Sequence, residues 1–385
     1  MKGKKNTLQK HSPGLSYWEI KQYFSCFDLI VIGSGIVGLN AAYWFKIKHP
    51  KSSVLVIENG LLPNGASTKN AGFACFGSPS ELLSDLNKTP EITVFDTLRM
   101  RWEGLQLLRK NIGDKKMNYK SFGGYELFKT KNEYELCFNK LSYLNKKIEE
   151  TVGKKEAFCV ADKKIKTFGF GRLKGMIWSR YEGQIDTGMM MMALINITHK
   201  KGVKILNGIN IKKLNDSGSV VELESDFGIF KAKKVIVAVN GFAKSLLKIE
   251  DVNPARAQVL ITKPIINLKL KGTFHFEEGF YYFRNVGERI LFGGGRNLDL
   301  KGEATPVIAV TKKIQNNLEH LLKTVILPNQ KFEVEHRWAG IMGVGSEKKP
   351  IIKHYTKNII CSVRMGGMGV AIGSLVGKEA AELAG

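Results

Sequence analysis

The sequence predicts an α/β fold of two lobes, in which one lobe is built on a parallel sheet and the other is an α+β lobe built on an antiparallel sheet. A buried strand over 27–32 is followed by a glycine turn, a helix over 39–48 and a second buried strand over 54–58. This order is typical of parallel strands joined by a crossover helix. Over 256–304, short apolar runs alternate with turns, as in an antiparallel sheet. With 385 residues, the chain has room for about two or three domains.

The remaining elements follow in order along the chain. Residues 1–23 are predicted to form an N-terminal arm, and 79–150 is largely helical because leucine and phenylalanine recur at three- and four-residue steps. Thr305 as N-cap and Pro306 in the first turn predict a helix over 306–322. The other predicted elements are short strands within 155–182, a helix over 189–199, strands over 203–206, 220–223 and 234–239, a strand over 359–363 and a final helix over 370–384.

The amino-acid composition indicates which binding partners and which cellular compartment to expect. Hydrophobic residues make up 43% of the chain, which excludes disorder throughout. The formal net charge of +24 favours anionic partners, although lysines spread along the whole chain also fit a solvated surface. The five cysteines have no CxxC spacing and the seven histidines form no HxxxH pair, so neither a disulfide scaffold nor a metal site is expected. These features, and the lack of a ~20-residue apolar segment near the start, predict a cytoplasmic protein without a transmembrane segment.

The strongest functional signal is the turn GSGIVG at 33–38, which lies between the first strand and the first helix. Gly33 permits the tight turn, Gly35 lets the backbone approach a pyrophosphate, and Gly38 lets the helix pack closely on the strand. Glu58 ends the next strand about 20 residues later, where its carboxylate can accept hydrogen bonds from a ribose diol. The pattern predicts a Rossmann-type dinucleotide site, and the acidic residue argues against NADP.

This fingerprint alone does not distinguish NAD from FAD, and the segment GASTKNAG at 65–72 bears on the choice. Its residues are small and polar, so they could lie along a long cofactor and donate hydrogen bonds to it. The alternative interpretation is a surface Ω-loop.

Four blocks of the sequence, in the same order, resemble the FAD-dependent D-amino acid oxidase superfamily, which includes glycine oxidase, sarcosine oxidase and the gamma-glutamylputrescine oxidase-like enzymes. The first block is GSGIVG with Glu58, and the second is GASTKNAG. The third extends from GVKILNGINI at 202–211 through KKVIVAVNGFAKSLL at 233–247 to PARAQVLIT at 254–262. The fourth is RMGGMGVAIGSLVGKEAAEL at 364–383.

The resemblance implies an FAD site and assigns residues to each part of the cofactor. The expected contacts are Gly33, Gly35 and Gly38 at the pyrophosphate, Glu58 at the ribose, Ser67, Thr68, Asn70, Ala71 and Gly72 along the pyrophosphate-to-ring side, Ile211 at the adenine, Asn240 and Gly241 in a turn close to the cofactor, and Gly366, Gly367, Met368 and Gly369 near the pyrimidine end of the flavin. The family's covalently attached flavins use a cysteine that is absent from 341–349, so non-covalent FAD is expected.

The resemblance also implies a division of the chain. The FAD-binding lobe of the Rossmann type is expected to comprise 24–78, 185–255 and 335–385, and the substrate lobe 79–184 and 256–334. Because ligand sites favour crevices between lobes, the substrate is expected between them, under the antiparallel sheet.

On the substrate side, the sequence departs from the family pattern. Ala257 occupies a position where the family has glycine, and Met368 one where histidine is common. Met342 stands where the D-amino acid oxidases carry an arginine, so the partner for a substrate carboxylate has to come from elsewhere.

Arginine is the preferred partner of a carboxylate because its guanidinium binds both oxygens. The candidate substrate-binding residues are Arg284, Arg296, Arg337, Trp338 and Arg364. For each arginine, the alternative is a surface salt bridge.

The sequence therefore predicts an FAD-dependent oxidoreductase that oxidises a C–N bond of a small-molecule amino acid or related amine by hydride transfer to flavin N5. No acid or base is assigned, since the protein need only orient the substrate and exclude water. The electron acceptor stays open, and no specific nucleic acid partner is expected. The alternatives are a flavoprotein that acts on RNA or at an anionic membrane surface, a non-catalytic FAD binder and, last, an NAD-dependent dehydrogenase.

Overall fold

The computed structural model describes residues 14–385. Its strands are β1 (Cys26–Ile32), β2 (Val54–Ile57), β3 (Phe73–Ala74), β4 (Gly124–Phe128), β5 (Phe158–Val160), β6 (Gly175–Ser179), β7 (Gly183–Gln184), β8 (Lys204–Leu206), β9 (Ile211–Asp216), β10 (Val221–Ser225), β11 (Gly228–Val237), β12 (Asn253–Thr262), β13 (Thr273–Phe276), β14 (Tyr281–Val286), β15 (Arg289–Gly294), β16 (Val334–Val344), β17 (Ile351–His354) and β18 (Ile359–Val363).

The α-helices are α1 (Tyr17–Tyr23), α2 (Ile36–Lys48), α3 (Ala66–Lys69), α4 (Pro79–Leu86), α5 (Glu91–Ile112), α6 (Lys131–Val152), α7 (Lys163–Phe168), α8 (Thr187–Lys200), α9 (Lys312–Leu321) and α10 (Gly369–Ala384). Short 3₁₀ turns cover Asp114–Met117, Asn240–Ser245 and Arg296–Asp299, and a π turn covers Leu322–Ile326. Between residues 14 and 385, no helix combines the length and the apolar character needed to cross a membrane.

The first sheet has the strand order β17-β18-β11-β1-β2-β8, and the hairpin β9–β10 extends it from β11. The strands from β18 to β8 are parallel, whereas β17 pairs antiparallel at the edge. All four residues of β2 are buried, as expected for a parallel strand covered on both faces. The predicted parallel sheet is confirmed.

The second sheet has the order β16-β12-β15-β14-β13-β4-β6-β5 and is antiparallel except where β13 pairs with β4. Alternate residues face opposite sides of a strand, and one face of this sheet packs on α9 through residues such as Phe274, Phe283 and Phe292. The opposite face is directed toward the first sheet. The predicted mixed α/β fold with a largely antiparallel second sheet is therefore confirmed.

Two glycines let α10 lie against its neighbours at backbone distance. A Cβ at Gly377 would be 2.6 Å from the carbonyl oxygen of Val37 in α2. A Cβ at Gly104 in α5 would be 2.4 Å from the carbonyl oxygen of Ala371. These two contacts hold α10 between α2 and α5, and they fix the position of its N-terminus.

The structure differs from the sequence prediction at the helix expected from Pro306, which begins instead at Lys312. Hydrogen bonds from the second sheet hold the preceding residues in a non-helical conformation. The amide of Thr311 donates to Oε1 of Gln258 at 2.8 Å, and Nε2 of Gln258 donates to the Thr311 hydroxyl at 3.0 Å. The helix start predicted from Thr305 was wrong, because the local sequence does not show these contacts with a distant strand.

Two further assignments bear on the expected lobes. Residues 335–344 were assigned to the first lobe, but they lie in β16, which pairs along β12 in the second sheet. Of the predicted N-terminal arm, residues 1–13 lie outside the described residues, and Tyr17–Tyr23 forms α1 with a capping box between Ser16 and Glu19. The lobe boundaries as a whole stay a prediction.

Substitution of Gly377 by alanine is expected to destabilise the protein. The new methyl group would meet backbone atoms of α2, and overpacking of this kind costs about 1–3 kcal/mol. Thermal unfolding of the purified protein measures the effect as a lower Tm. Gly188→Ala is the matched control, because the exposed Gly188 in α8 has only Asp186 Oδ1 nearby, at 3.4 Å. An unchanged Tm for Gly377→Ala would contradict the packing described for α10.

Candidate functional site

A cavity of about 810 Å³ lies between the two sheets. This volume falls in the upper range of small-molecule sites. Twelve of the sixteen residues predicted from the sequence to contact the cofactor line it. They are Gly33, Gly35, Glu58, Ser67, Asn70, Ala71, Ile211, Asn240, Gly366, Gly367, Met368 and Gly369.

The turn between β1 and α2 forms one wall of the cavity. Gly33 has φ +103°, and a Cβ there would be 2.8 Å from the carbonyl oxygen of Ala238. A Cβ at Gly35 would be 2.9 Å from Ser67 Oγ, so the backbone stays bare where it borders the cavity. Gly38 does not line the cavity. A Cβ there would be 1.9 Å from the Gly33 carbonyl oxygen, so α2 packs directly against the turn at this position.

Glu58 presents a buried carboxylate at the same end of the cavity. Its Oε2 accepts hydrogen bonds from the amide and the hydroxyl of Ser34, both at 2.9 Å. Its Oε1 accepts one from the amide of Gly60 at 3.0 Å. These bonds fix the carboxylate beside the turn, at the edge of the cavity.

The loop 65–72 folds along the cavity. The hydroxyl of Ser67 accepts a hydrogen bond from the amide of Ile36 at the start of α2, at 2.9 Å. Asn70 Oδ1 accepts one from the amide of Gly72 at 2.8 Å. Thr68 is exposed and donates to the Pro63 carbonyl. Neither Thr68 nor Gly72 lines the cavity, so the structure brings together only part of this predicted set.

The turn after β11 and the last strand of the first sheet meet at Asn240. This residue has φ +46°, and its Oδ1 accepts hydrogen bonds from the amides of Arg364 and Met365, both at 3.1 Å. The neighbouring Gly241 does not line the cavity, because a Cβ there would be 2.5 Å from the Met342 carbonyl oxygen.

The N-terminus of α10 opens onto the cavity. Gly366 and Gly367 have φ values of +57° and +84°, and the N-cap residue Met368 offers no capping side chain. The first amides of a helix carry partial positive charge. This end of the cavity can therefore stabilise negative charge on a bound group.

A row of side chains across the second sheet forms the opposite wall. The cavity is lined by His275, Tyr282 and Val259. His275 of β13 pairs with Tyr282 of β14, and both Tyr282 and Val259 of β12 pair with Gly293 of β15, which lies between them. Between Tyr282 and Val259 the row passes over Gly293, where a Cβ would be 2.6 Å from the Tyr282 ring. Burial raises the pKa of Tyr282 to about 12, so its hydroxyl stays protonated and can donate a hydrogen bond.

Of the five predicted substrate residues, Arg296 lines the cavity. Its guanidinium lies over the Phe280 ring at 5.9 Å, and within residues 14–385 it makes no hydrogen bond or ion pair with protein. Burial lowers its pKa. Of all the candidates, this guanidinium is the one left free for a ligand.

The structure does not bring the other four to the cavity, because each has a protein partner. Arg284 donates to the carbonyl oxygens of Ala71 and Ile185. The remaining contacts are Arg337 with Glu319 at 2.7 Å, Arg364 with Asp251, and Trp338 Nε1 with the Lys69 carbonyl at 3.0 Å.

Sequence reasoning missed a cluster of ionisable residues in the wall. Glu81 bonds to the buried Arg101 at 3.2 Å and to Lys348 at 2.8 Å. Although burial opposes it, these two cations lower the pKa of Glu81 to about 2. The cluster joins α4, α5 and the loop before β17, which are distant in sequence, so no local pattern could have indicated it.

Glu182 is the second residue that was missed. It lines the cavity while only 1% exposed, and its Oε1 accepts hydrogen bonds from the amides of Phe76 and Gly77. Its Oε2 has no partner in the described structure. Burial raises the pKa of Glu182 to about 8, and the charges of Glu81 and Glu126 add to the rise.

Comparison with known proteins places this architecture among flavoenzymes. The sequence profile of the family described as FAD dependent oxidoreductase matches residues 28–383. A probable oxidoreductase, OrdL, of Rhizobium meliloti is 22% identical over 213 residues. That match covers 52% of this chain and 47% of the relative, so it spans about half the length of each.

Solved structures share the fold over nearly the whole chain. L-proline dehydrogenase from P. horikoshii superposes with a TM-score of 0.75 at 18% identity, covering 94% of this chain and 93% of that one. Glycine oxidase from Geobacillus kaustophilus gives 0.74 at 18%, covering 93% and 94%. Iminodiacetate oxidase from Chelativorans sp. BNC1 gives 0.72 at 17%, covering 92% and 94%. At such identities the likeness shows the fold.

The raised pKa of Glu182 predicts a pH-dependent difference in stability between the protein and its Glu182→Gln variant. The folded protein holds this proton more tightly than the unfolded chain, so the free energy of unfolding falls as pH rises from the ordinary value of 4.5 toward about 8. In Glu182→Gln that loss is absent, and the difference between the two proteins grows by about 1.4 kcal/mol for each pH unit in this range. Urea unfolding at pH 5 and pH 8 measures it.

The exposed Glu250, changed to glutamine, is the control and should follow the unmodified protein at both pH values. A constant difference between Glu182→Gln and the unmodified protein would show that Glu182 has an ordinary pKa.

Proposed function

The chain belongs to the FAD dependent oxidoreductase family, and from this premise we propose that it oxidises the C–N bond of an amino acid or a related amine, with FAD held non-covalently. The observation that supports this most is the continuity of the cavity. It extends from the dinucleotide turn at Gly33 and Glu58 to a wall that carries Arg296, Tyr282 and Glu182.

The residues that line the cavity fit FAD. At Gly35 the backbone is bare toward the cavity, and the buried Glu58 carboxylate lies beside it, which suits a pyrophosphate next to a ribose. At the other end, the N-terminus of α10 offers amides for the pyrimidine end of a flavin. Bound there, FAD supplies the acceptor for a hydride.

The second wall suits a small zwitterion. The unpaired guanidinium of Arg296 can hold a carboxylate through two hydrogen bonds. The Tyr282 hydroxyl can donate to the same ligand, and apolar Val259 and Met342 exclude water from the space between the walls. These side chains bind and orient the substrate, so that its C–H bond is directed at the cofactor.

Non-covalent binding is supported by the protonation state of the Cys75 thiol. Among the described cysteines, Cys75 is the one that lines the cavity. Burial raises the pKa of its thiol well above the ordinary value, and the charge of Glu182 adds to this. A thiol held in its neutral form is a poor nucleophile. We therefore propose that no thioether forms at this position.

The first test is the visible spectrum of the purified protein before and after acid precipitation. Flavin bands that leave with the supernatant are the expected result, and an anaerobic panel of amino acids and amines should then bleach them. Protein that stays colourless even after added FAD would overturn the cofactor assignment. Flavin that no amine or amino acid reduces would overturn the proposed reaction and leave an FAD binder.

Replacement of Arg296 by glutamine distinguishes an amino acid from a plain amine as substrate. If the guanidinium holds a carboxylate, loss of the charge costs about 2–4 kcal/mol of binding, and the KM should rise at least tenfold while flavin absorbance is unchanged. Arg289→Gln is the matched control, because Arg289 pairs with Glu335 away from the cavity. An unchanged KM for Arg296→Gln would assign the substrate to amines without a carboxylate at this position.

A further inference from the structure

We infer that His275 and Glu126 form a relay that carries the proton of the substrate amine out of the main cavity and into a second, smaller cavity. The inference rests on the proposed function and adds to it the path of the proton. An ammonium group cannot lose a hydride from the adjacent carbon until its nitrogen is neutral, so an acceptor for that proton is needed.

The register of the second sheet brings the two side chains together. His275 in β13 lies directly opposite Glu126 in the parallel strand β4. Paired residues on neighbouring strands share a face, and His275 Nδ1 lies 3.9 Å from Glu126 Oε1. Nδ1 is buried and has no hydrogen-bond partner among the described residues. The relay requires the two side chains to approach by about 1 Å, to the ordinary length of a hydrogen bond.

The two residues face different spaces. His275 lines the main cavity, and Glu126 lines a second cavity of about 170 Å³. The second cavity is bordered by the exposed residues Glu133 and Leu136 of α6, so its far side reaches the surface. The pair therefore lies between the ligand-sized cavity and a route to solvent.

Hydroxyl groups continue the path from Glu126. The hydroxyls of Ser78 and Ser80 both donate to Glu126 Oε1, and the Ser80 amide donates to Oε2 at 3.0 Å. Ser80 lines the second cavity. A serine hydroxyl both accepts and donates, so it can pass a proton between the carboxyl group and water.

Burial sets the protonation states of both members of the pair. Burial lowers the pKa of His275 to about 4 and raises that of Glu126 to about 7. At neutral pH the imidazole is therefore uncharged and can accept, while the carboxyl both binds and releases protons. The ionisable groups that face the pair are Glu81 of α4, Cys137 and Glu133 of α6, Lys129 after β4, Glu277 and Glu278 after β13, Tyr282 of β14 and Glu182 before β7.

The oxidation step accounts for both hydrogens that leave the substrate. The substrate N–H bond breaks and its proton goes to Nε2 of His275, while the proton on Nδ1 goes to Glu126 and from there to water in the second cavity. The C–H bond breaks with its electron pair, and the hydride leaves to the cofactor that the proposed function already contains. The organic product is an iminium ion, which carries one positive charge like the starting ammonium after its loss of one proton and one hydride, and one proton reaches solvent.

The experiment compares Glu126→Gln with the unmodified protein in anaerobic stopped flow across pH 5.5–8.5. The variant keeps the shape and the hydrogen-bond acceptor of Glu126 but cannot carry the proton. The expected result is a fall of about tenfold or more in the flavin reduction rate at pH 7, with loss of the pH step near 7, while substrate affinity stays unchanged. Glu126→Asp, which retains a carboxyl group, should recover part of the rate and the pH step.

Glu135→Gln is the matched control, because Glu135 is exposed on the same helix α6, pairs with Lys131 and lines neither cavity. It should reduce at the unmodified rate. Infrared difference spectra between pH 6 and pH 8 give a readout that needs no substrate: the protonated carboxyl component that titrates near pH 7 should be lost in Glu126→Gln and kept in Glu135→Gln, while the component of Glu182 remains in both.

Two outcomes would overturn the relay alone: reduction by Glu126→Gln with the rate and pH profile of the unmodified protein, or an infrared titration that does not depend on Glu126. Failure of every amine to reduce the flavin of the unmodified protein would instead overturn the proposed function and the relay with it. A reduced rate with a shifted pH profile that Glu126→Asp partly restores would establish the relay.

Discussion

Close contact between backbones at a few glycines is the constraint on which the rest of the structure depends. At Gly38 and Gly377 a Cβ would lie 1.9 Å and 2.6 Å from carbonyl oxygens, so α2 meets both the first turn and α10 without intervening side chains. This packing brings the N-termini of both helices to one cavity. The positive ends of the two helices together favour a long anionic ligand that spans them. A methyl group at either glycine would displace the helices and move their N-termini away from the cavity.

The second wall depends on strand register rather than on glycine packing. Phe274 and Phe276 belong to the core beneath α9, and His275 between them therefore faces the cavity. The same alternation places Tyr282 between Tyr281 and Phe283. A shift of one residue in either strand would bury the polar side chain and expose two aromatic rings. The aromatic core thus fixes the register, and the register places the polar groups.

These two kinds of constraint explain how much could be predicted from the sequence. The turn at Gly33 and the strand ending in Glu58 are local patterns, and they predict the first parallel strands and the dinucleotide turn. The antiparallel sheet was predicted from the short apolar runs over 256–304. The cofactor contacts within 65–72, at Ile211 and over 366–369 came from the resemblance to the family. Glu182 and Glu126 could not be found in this way, because each is a single acid whose neighbours come from other strands and from α4. No local pattern distinguishes Arg296 from Arg364. The two arginines differ because Arg364 is paired with Asp251, which lies in a loop distant in sequence. The start of α9 was misplaced for a similar reason, because Gln258 holds Thr311 from across the sheet.

The buried acids also depend on one another. Three carboxyl groups in one wall cannot all be ionised at low cost, and the structure divides the charge unequally between them. Arg101 and Lys348 surround Glu81 and keep it ionised, and the charge of Glu81 in turn helps to keep Glu182 and Glu126 protonated. A cation that entered the cavity would favour the ionised forms of these two acids and so release protons as it bound. An acid of the wall that has released its proton in this way is ionised, and it can then accept the proton that the bound ammonium group must lose before a hydride leaves the adjacent carbon.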